Sequence, residues 1–242
     1  MIAIDSVGYE CDALRDRAQA LANQLHLKLQ KEASPCLLVC ENKLALKIQN
    51  FSPLAPDFRA DSWTKRRAEG KSQALIKACK PKPGMKIIDA TAGWGRDAAI
   101  LASFGAEIRM LERHPIMALL LEDALAQRSS MDRQKLSLSL IHTNAFDYLY
   151  SLKESDYPDV IYVDPMHPER TQSALVKKEM QALQELIGED KDAKALIEVA
   201  KSRMKMRLVV KWPQKLPPLM KPDLSIPGKT IRYDIYFAKG LP

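Results

Sequence analysis

The feature of this sequence that most constrains its fold is the alternation of strand-like and helix-like segments from residue 85 onward. Short apolar runs alternate with longer stretches that carry the apolar spacing of helices. A parallel sheet covered by helices requires this alternation. The strand candidates are Lys86–Asp89, Glu107–Leu111, Leu136–Ile141, Val160–Asp164 and Arg207–Lys211. The helix candidates are Asp97–Phe104, Pro115–Gln127, Ser173–Leu186 and Ala193–Arg203.

The last strand candidate, Arg232–Phe237, follows a proline-rich loop from Pro213 to Pro227 that has no helical pattern. A parallel crossover usually needs a helix, so we expect this strand to lie antiparallel at or near a sheet edge. The sequence therefore predicts an α/β fold with a Rossmann-like sheet, mostly parallel, whose last strand is antiparallel.

The first sixty residues have a different pattern and predict a small N-terminal α+β module with a linker. Its elements are a strand at Ile2–Asp5, a helix from Tyr9 to about Leu25, and a hairpin of Cys36–Cys40 and Leu44–Ile48. The linker is 50–61, and a helix from Lys65 to Cys79 follows it. We expect two domains, residues 1–60 and residues 61–242.

Composition indicates a soluble globular protein, with 46% hydrophobic and 28% charged residues. No secretory signal and no apolar run of membrane-spanning length is visible, which predicts a cytoplasmic protein without a membrane partner. The four cysteines have no histidine or cysteine cluster beside them. We expect them to be reduced core residues, and we expect no metal.

The protein has a net charge of +7, and its basic residues are crowded in a segment before the first strand of the alternating region. A basic segment with an aromatic ring beside it suits phosphate contact and base stacking. A solvated helix face is the other interpretation. The candidate RNA-binding residues of this segment are Arg59, Trp63, Lys65, Arg66 and Arg67.

A glycine-rich loop follows the first strand of the alternating region. Gly93 and Gly95 allow a tight turn and close approach of a ligand, and the helix after them presents unpaired N–H groups that would hold a carboxylate. The strand ends at Asp89, which can meet a cationic ammonium. The second strand ends at Glu112, 23 residues later, where a carboxylate accepts hydrogen bonds from ribose hydroxyls.

A dinucleotide oxidoreductase has a related loop and must be considered. Its fingerprint has a third glycine where this chain has Ala98, and its loop faces a pyrophosphate. The acids Asp89 and Asp97 suit a zwitterionic, sulfonium-bearing ligand better. The sequence thus favours S-adenosylmethionine as cofactor, with S-adenosylhomocysteine as product, on a class I methyltransferase sheet. At the end of the third strand, Asn144 either contacts the adenine or makes an Asx turn; both interpretations stay open.

The fourth strand delivers an acid and two prolines, in the order Asp164-Pro-Met-His-Pro168. Methyltransferases that act on planar amino groups carry an Asp/Asn-Pro-Pro-aromatic tetrad at this place. An exocyclic amine is a poor nucleophile, because its lone pair is delocalised into the ring. The Asp164 side chain and the Pro165 carbonyl can hold both N–H groups and direct the nitrogen at the methyl group. His167 stands where the tetrad has a stacking aromatic ring.

Several motifs together resemble the ribosomal RNA small subunit methyltransferase J family over about residues 60–237. The segments that carry the resemblance are Asp89-Ala-Thr-Ala-Gly-Trp-Gly-Arg-Asp97, Met110-Leu-Glu-Arg-His-Pro115, Asp164-Pro-Met-His-Pro168, Ser173-Ala-Leu-Val-Lys-Lys-Glu-Met180, Leu208-Val-Val-Lys-Trp-Pro213 and Arg232-Tyr-Asp-Ile-Tyr236. Membership implies methylation of guanine N2 at one site in the 3′ part of 16S rRNA. The cofactor contacts implied by the resemblance are Arg96, Asp97, Glu112, Arg113, Asn144, Ala145 and Asp164.

This sequence departs from the family at three places. His167 replaces the usual phenylalanine, Trp94 replaces a smaller apolar residue, and Asn144 with Ala145 replaces typical serines. These differences put the stacking partner in doubt and leave the two contacts at 144 and 145 to the backbone.

Three further lysines are candidates for contact with RNA. Lys177 and Lys178 follow the catalytic loop on a predicted helix, where phosphate contact and a solvated face are equally open. Lys211 ends a strand beside the expected site and favours a substrate role. The expected partner is 16S rRNA or the small ribosomal subunit, with no obligate protein partner. Two alternatives remain: a methyltransferase of the same fold that acts on DNA adenine or a protein amide, and a non-catalytic RNA-binding assembly factor.

Overall fold

The computed structural model describes residues 4–48, 52–68, 73–166 and 192–238. Its strands are β1 (Ser6–Tyr9), β2 (Lys28–Leu29), β3 (Cys36–Val39), β4 (Leu44–Lys47), β5 (Lys86–Asp89), β6 (Glu107–Glu112), β7 (Leu138–His142), β8 (Val160–Val163), β9 (Arg207–Pro213), β10 (Leu224–Pro227) and β11 (Ile231–Phe237). Its helices are α1 (Arg15–Leu25), α2 (Ala60–Ala68), α3 (Gln73–Cys79), α4 (Arg96–Ala102), α5 (Pro115–Ala126), α6 (Ser130–Lys135), α7 (Ala145–Ser151) and α8 (Ala193–Lys201).

Among the described residues, the large sheet has seven strands in the order β10-β11-β9-β8-β5-β6-β7. The pairs from β9 to β7 are parallel, and β11 runs antiparallel to β9. The predicted α/β sheet with an antiparallel last strand is therefore confirmed. The edge is formed by β10, which the sequence predicted as loop. A four-residue edge strand that ends in a proline is mostly exposed, so it shows no apolar period.

Several predicted boundaries are wrong, and the causes are local. The predicted helix 65–79 covers part of α2 and all of α3, and residues 69–72 between them lie outside the described residues. Its predicted start is wrong, because α2 begins at Ala60, whose N–H donates to the Asp132 carboxylate at 2.7 Å. The predicted start of β7 at Leu136 belongs to the end of α6, a helix opened by a Ser129–Asp132 capping box. The predicted helix Ser173–Leu186 lies outside the described residues.

Residues 6–47 contain a second sheet of order β2-β1-β3-β4. The hairpin of β3 and β4 is confirmed, whereas the first strand lies at Ser6–Tyr9, and residues 4–5 of the strand predicted at Ile2–Asp5 are not part of it. The predicted helix start at Tyr9 is wrong because β1 is the strand between β2 and β3, and α1 begins only at Arg15.

This small sheet shares a hydrophobic cluster with α5 through Ile116, Met117 and Leu120. The Leu44 N–H also donates to the Asp123 carboxylate of α5 at 2.7 Å. The residues before 60 therefore pack against the large sheet's helices, and a domain boundary at residue 60 stays a prediction. Among the residues that the structure describes, no helix combines the length and apolar character that crossing a membrane requires.

Candidate active site

A pocket opens at the carboxyl edge of the large sheet, where β5, β6, β8 and β9 end and where α4, α7 and α8 begin. Parallel strands bring their carboxyl ends to one edge, so residues far apart in the chain meet there. Most of the predicted cofactor residues line this pocket: Asp89, Gly93, Arg96, Asp97, Glu112, Arg113, Asn144, Ala145 and Asp164. Lys211 lines it as well.

Asp89 is the most buried acid of the pocket, with 1% of its surface exposed. Its Oδ1 accepts a hydrogen bond from the Thr91 N–H at 3.1 Å. Burial raises the pKa of Asp89 to about 8; the Thr91 N–H opposes this rise, and the nearby carboxyl groups of Asp97 and Asp164 add to it. A cationic ligand group beside Asp89 would favour the ionised carboxylate. The site therefore suits a positively charged ligand.

The glycine loop turns sharply between β5 and α4. Gly93 has φ 53° and Gly95 has φ 68°, both in the left-handed region. A Cβ on Gly95 would lie 2.6 Å from Cζ of Phe58, a fully buried ring. Gly95 is thus required by its backbone angle and by the close packing of Phe58 under the loop.

Glu112 ties the glycine loop to the end of β6. Its Oε2 accepts from the Gly93 N–H at 3.1 Å, and its Oε1 accepts from the His114 N–H at 2.8 Å. The side chain is buried, but it lines the pocket. Glu112 therefore holds the loop and stands at the position that the sequence assigned to ribose recognition.

Asp164 and Asp97 meet on Lys211, although they lie on different elements. The Lys211 Nζ is 2.7 Å from Oδ2 of Asp164 and 3.0 Å from Oδ2 of Asp97. Oδ2 of Asp97 also accepts from the Tyr162 hydroxyl at 2.5 Å. Lys211 is thus part of the pocket's acidic centre. Its predicted contact with RNA stays a prediction.

The backbone after β8 is held against the glycine loop. The Asp164 N–H donates to Oγ1 of Thr91 at 2.7 Å, and Pro165 and Met166 are buried. Met166 packs in one cluster with Trp94, so the tryptophan that departs from the family joins both loops to the small sheet. His167, Lys177 and Lys178 lie outside the described residues, and their predicted roles stay predictions.

Asn144 and Ala145 begin α7 at the pocket wall. Oδ1 of Asn144 accepts from the Phe146 N–H at 2.8 Å and caps the helix. The Asx turn is therefore present, and the side-chain oxygen is engaged in it. On the other side of the pocket, Arg113 pairs with Asp192 at the start of α8, at 3.0 Å.

The basic segment of α2 does not have the predicted arrangement. Trp63 is 4% exposed and its Nε1 donates to the Asp57 carbonyl at 2.7 Å, so its ring is not accessible for base stacking. The prediction for Trp63 is wrong in this structure because the ring fills the core between α2 and the sheet. Arg66 stacks over that ring, Arg59 pairs with Asp57, and Lys65 is exposed.

The contacts of Arg67 show where the end of α2 lies relative to the pocket. Its guanidinium stacks over Phe104 and donates to the Ser103 carbonyl at 2.8 Å. Both residues follow α4, whose first turn is at the pocket. Seven helical residues span about 10 Å, so Arg67 is displaced from the pocket by at least that distance along α4. Arg67 therefore lies towards the opposite edge of the sheet from Asp164.

Sequence reasoning missed Thr91 and Tyr162 as parts of the site. A signal existed for Tyr162, because alternate strand residues face the same side and Tyr162 stands two positions before Asp164. Thr91 gave no such signal. Within the described ranges, no group of three or more His, Cys, Asp or Glu side chains could hold a metal ion.

Comparison with known proteins places this chain among methyltransferases. Residues 20–238 match the model of a family described as putative SAM-dependent methyltransferase. A ribosomal RNA small subunit methyltransferase J from Legionella pneumophila is 61% identical over 239 residues, covering 99% of this chain and 98% of the relative. One from Thioalkalivibrio sulfidiphilus is 40% identical and covers 96% of each chain. The crystal structure of a SAM-dependent methyltransferase from Neisseria gonorrhoeae superposes with a TM-score of 0.69 at 26% identity, covering 98% of this chain and 97% of that one.

Proposed function

The chain belongs to the ribosomal RNA small subunit methyltransferase J family, and we propose on this basis that it methylates the exocyclic N2 of one guanosine in the 3′ part of 16S rRNA. S-adenosylmethionine supplies the methyl group when bound, on a sulfonium that makes the carbon electrophilic. The observation that carries the proposal is the pocket at the carboxyl edge of the sheet, which Asp89 lines and where Asp97 and Asp164 both contact one lysine.

The residues of the pocket fit this cofactor. Asp89 is a buried acid whose pKa is raised by burial and by its acidic neighbours, and an ammonium group would relieve that excess of negative charge. Glu112 stands at the end of β6, where its carboxylate can receive ribose hydroxyls. Ala145 and the capped Asn144 form the wall where the adenine belongs in this fold. Arg96 and Arg113 complete the lining.

Asp164 and Pro165 are proposed to hold the amino group that receives the methyl. A carboxylate oxygen and a backbone carbonyl are both acceptors, so together they can bind the two N–H groups of a flipped-out base. This contact directs the nitrogen lone pair towards the methyl carbon, and positioning supplies most of the rate enhancement. The methylated nitrogen is acidic and loses its proton readily, so no strong base is required.

The proposal is tested by offering labelled S-adenosylmethionine and four acceptors separately: small-subunit particles, bare 16S rRNA, DNA and ribosomal proteins. Label is expected in rRNA, on guanine N2, in the bare RNA or in the particle. Label only in DNA or only in protein would replace this function by an amino-methyltransferase of another substrate class. Cofactor binding without any transfer would favour a non-catalytic RNA-binding factor.

The basic end of α2 is proposed to contact RNA backbone at a distance from the reacting base. Replacing Arg66 and Arg67 together by alanine is expected to weaken RNA binding and to flatten its salt dependence by roughly 0.7 for each lost phosphate contact. RNA affinity as a function of salt concentration measures this. The matched control is Lys43→Ala with Lys153→Ala, which removes the same charge from exposed sites elsewhere. If RNA affinity depends on salt concentration with the same slope in both double variants, Arg66 and Arg67 belong to a solvated helix face.

A further inference from the structure

We propose that Lys211 is a positioning residue for the reaction, which keeps the Asp164 carboxylate ionised and oriented without itself touching the substrate. This inference rests on the proposed function, because it concerns the acceptor for the amino group. Its basis is the three-residue bridge in which one ammonium group contacts Oδ2 of both Asp164 and Asp97.

The position of Lys211 is fixed by the sheet. Strands β8 and β9 are parallel, with Val163 beside Val210, so the next residue of each strand brings Asp164 beside Lys211. On its other side, Lys211 is the register partner of Tyr233 in the antiparallel strand β11. A lysine at this position therefore points its ammonium into the pocket. Strand β9 is paired on both sides, so the backbone of Lys211 has little conformational freedom.

The bridge is largely shielded from water. The exposed fractions of the side chains are 16% for Lys211, 14% for Asp164 and 29% for Asp97. Interactions between charges are stronger in such surroundings than at the open surface. Burial by itself lowers the pKa of Lys211, but the carboxylates of Asp164 and Asp97 outweigh it and hold the pKa above its usual value. The lysine therefore stays charged at neutral pH.

The groups that face Lys211 from the surrounding elements are acidic or weakly acidic. They are Asp89 at the end of β5, Asp97 on α4, Asp164 after β8, Tyr162 on β8 and Tyr233 on β11, with Cys79 of α3 behind Tyr233. Burial raises the pKa of Tyr162 and of Tyr233, so both stay protonated. Without the ammonium, carboxylates this close would favour uptake of a shared proton.

The protonation state of Asp164 decides what it can do. An ionised carboxylate accepts hydrogen bonds at both oxygens, whereas a protonated one carries a donor. An amino group needs acceptors, so a protonated Asp164 would oppose the required geometry. The ammonium on Oδ2 also restrains the orientation of the carboxylate. Lys211 thus acts on charge and on orientation together, and the Tyr162 hydroxyl donates to the same Oδ2 of Asp97 that the ammonium contacts.

The test compares Lys211→Met with Lys211→Arg and the wild type in methylation of 16S rRNA. Lys211→Met is expected to lower kcat by about 100-fold while KM for the cofactor and for RNA changes little, because positioning is lost. The acidic limb of its kcat–pH profile is expected to move upward, since an adjacent cation favours the ionised form of a carboxyl group. Activity is present above that limb and lost below it, so the deficit shrinks as pH rises.

Two comparisons separate this role from a structural one. Lys211→Arg retains the charge and is expected to keep the wild-type pH profile even where kcat falls. In an Asp164→Asn background, residue 164 has no charge for Lys211 to stabilise. There Lys211→Met is expected to lower kcat by less than about threefold, because the effects of interacting sites are non-additive. Lys205→Met, at an exposed position just before β9, is the matched control and is expected to leave kcat unchanged.

An active wild type together with an unchanged acidic limb in Lys211→Met would overturn the inference and leave the proposed function intact. The inference is also overturned if Lys211→Met lowers kcat by the same factor in the Asp164→Asn background as in the wild type. A wild type that transfers no label to rRNA would instead overturn the proposed function, and the inference with it.

Discussion

Replacement of Asp164 by alanine is expected to lower methyl transfer to 16S rRNA by about 1,000-fold, because the variant lacks the acceptor that positions the amino group. The affinity for S-adenosylmethionine is expected to stay within about tenfold, or about 1.4 kcal/mol. The fold should survive, since Lys211 retains Asp97 as its partner at 3.0 Å. Single-turnover rates and calorimetric binding of the cofactor measure the two quantities separately.

Asp164→Asn is the matched control for this prediction. Asparagine keeps an acceptor oxygen of similar placement and loses the charge, so its rate should fall between those of the wild type and Asp164→Ala. Turnover in Asp164→Ala equal to that of the wild type would remove Asp164 from the reaction. A loss of cofactor binding as large as the loss of turnover would assign Asp164 to the cofactor instead of the acceptor.

Replacement of Gly95 by alanine is expected to lower the free energy of unfolding by about 3 kcal/mol, through a left-handed backbone angle and overpacking combined. The new Cβ would lie 2.6 Å from Cζ and 2.8 Å from Cε1 of Phe58, which is buried and has no space to retreat. For a chain of this size the melting temperature should fall by about 9 °C. Cofactor binding should weaken as well, because the loop that carries Gly93 must shift.

Gly84→Ala separates the two causes. Gly84 has φ +76°, close to the angle of Gly95, but a Cβ there meets nothing within 4 Å. It therefore incurs the backbone penalty alone, about 1 kcal/mol, without any crowding. Thermal unfolding of both variants gives their difference in free energy of unfolding, which measures the cost of the contact with Phe58. Equal melting temperatures would show that the contact with Phe58 has no energetic consequence.

The sheet and the acids of the pocket could be predicted from local patterns. Asp89, Glu112 and Asp164 each end an apolar run, and a parallel sheet brings such ends to one edge whatever the order of its strands. The confirmed α/β fold and the convergence of these acids follow from that rule. The edge strand β10 escaped prediction because a short, exposed strand ending in Pro227 has no period to detect.

The basic segment shows where local patterns fail. The sequence pattern of Trp63 and its neighbouring cations is the same whether Trp63 faces RNA or packs into the core. The tertiary structure buries Trp63 and stacks Arg66 upon it, and it directs Arg67 to Phe104 at the far end of α4. Helix period alone cannot decide this, because the choice depends on which surface of the domain the helix covers.

The sequence by itself determined the class of fold, the cofactor loop, the acids at the strand ends and the family, because each depends on residues that are neighbours along the chain. The tertiary structure alone decided which charged side chains lie in contact with one another. Lys211 and Asp97 are 114 positions apart, yet they meet at 3.0 Å, because strand β9 and the first turn of α4 open into the same pocket. Contacts of that kind depend on strand order and register, and no local period carries this information.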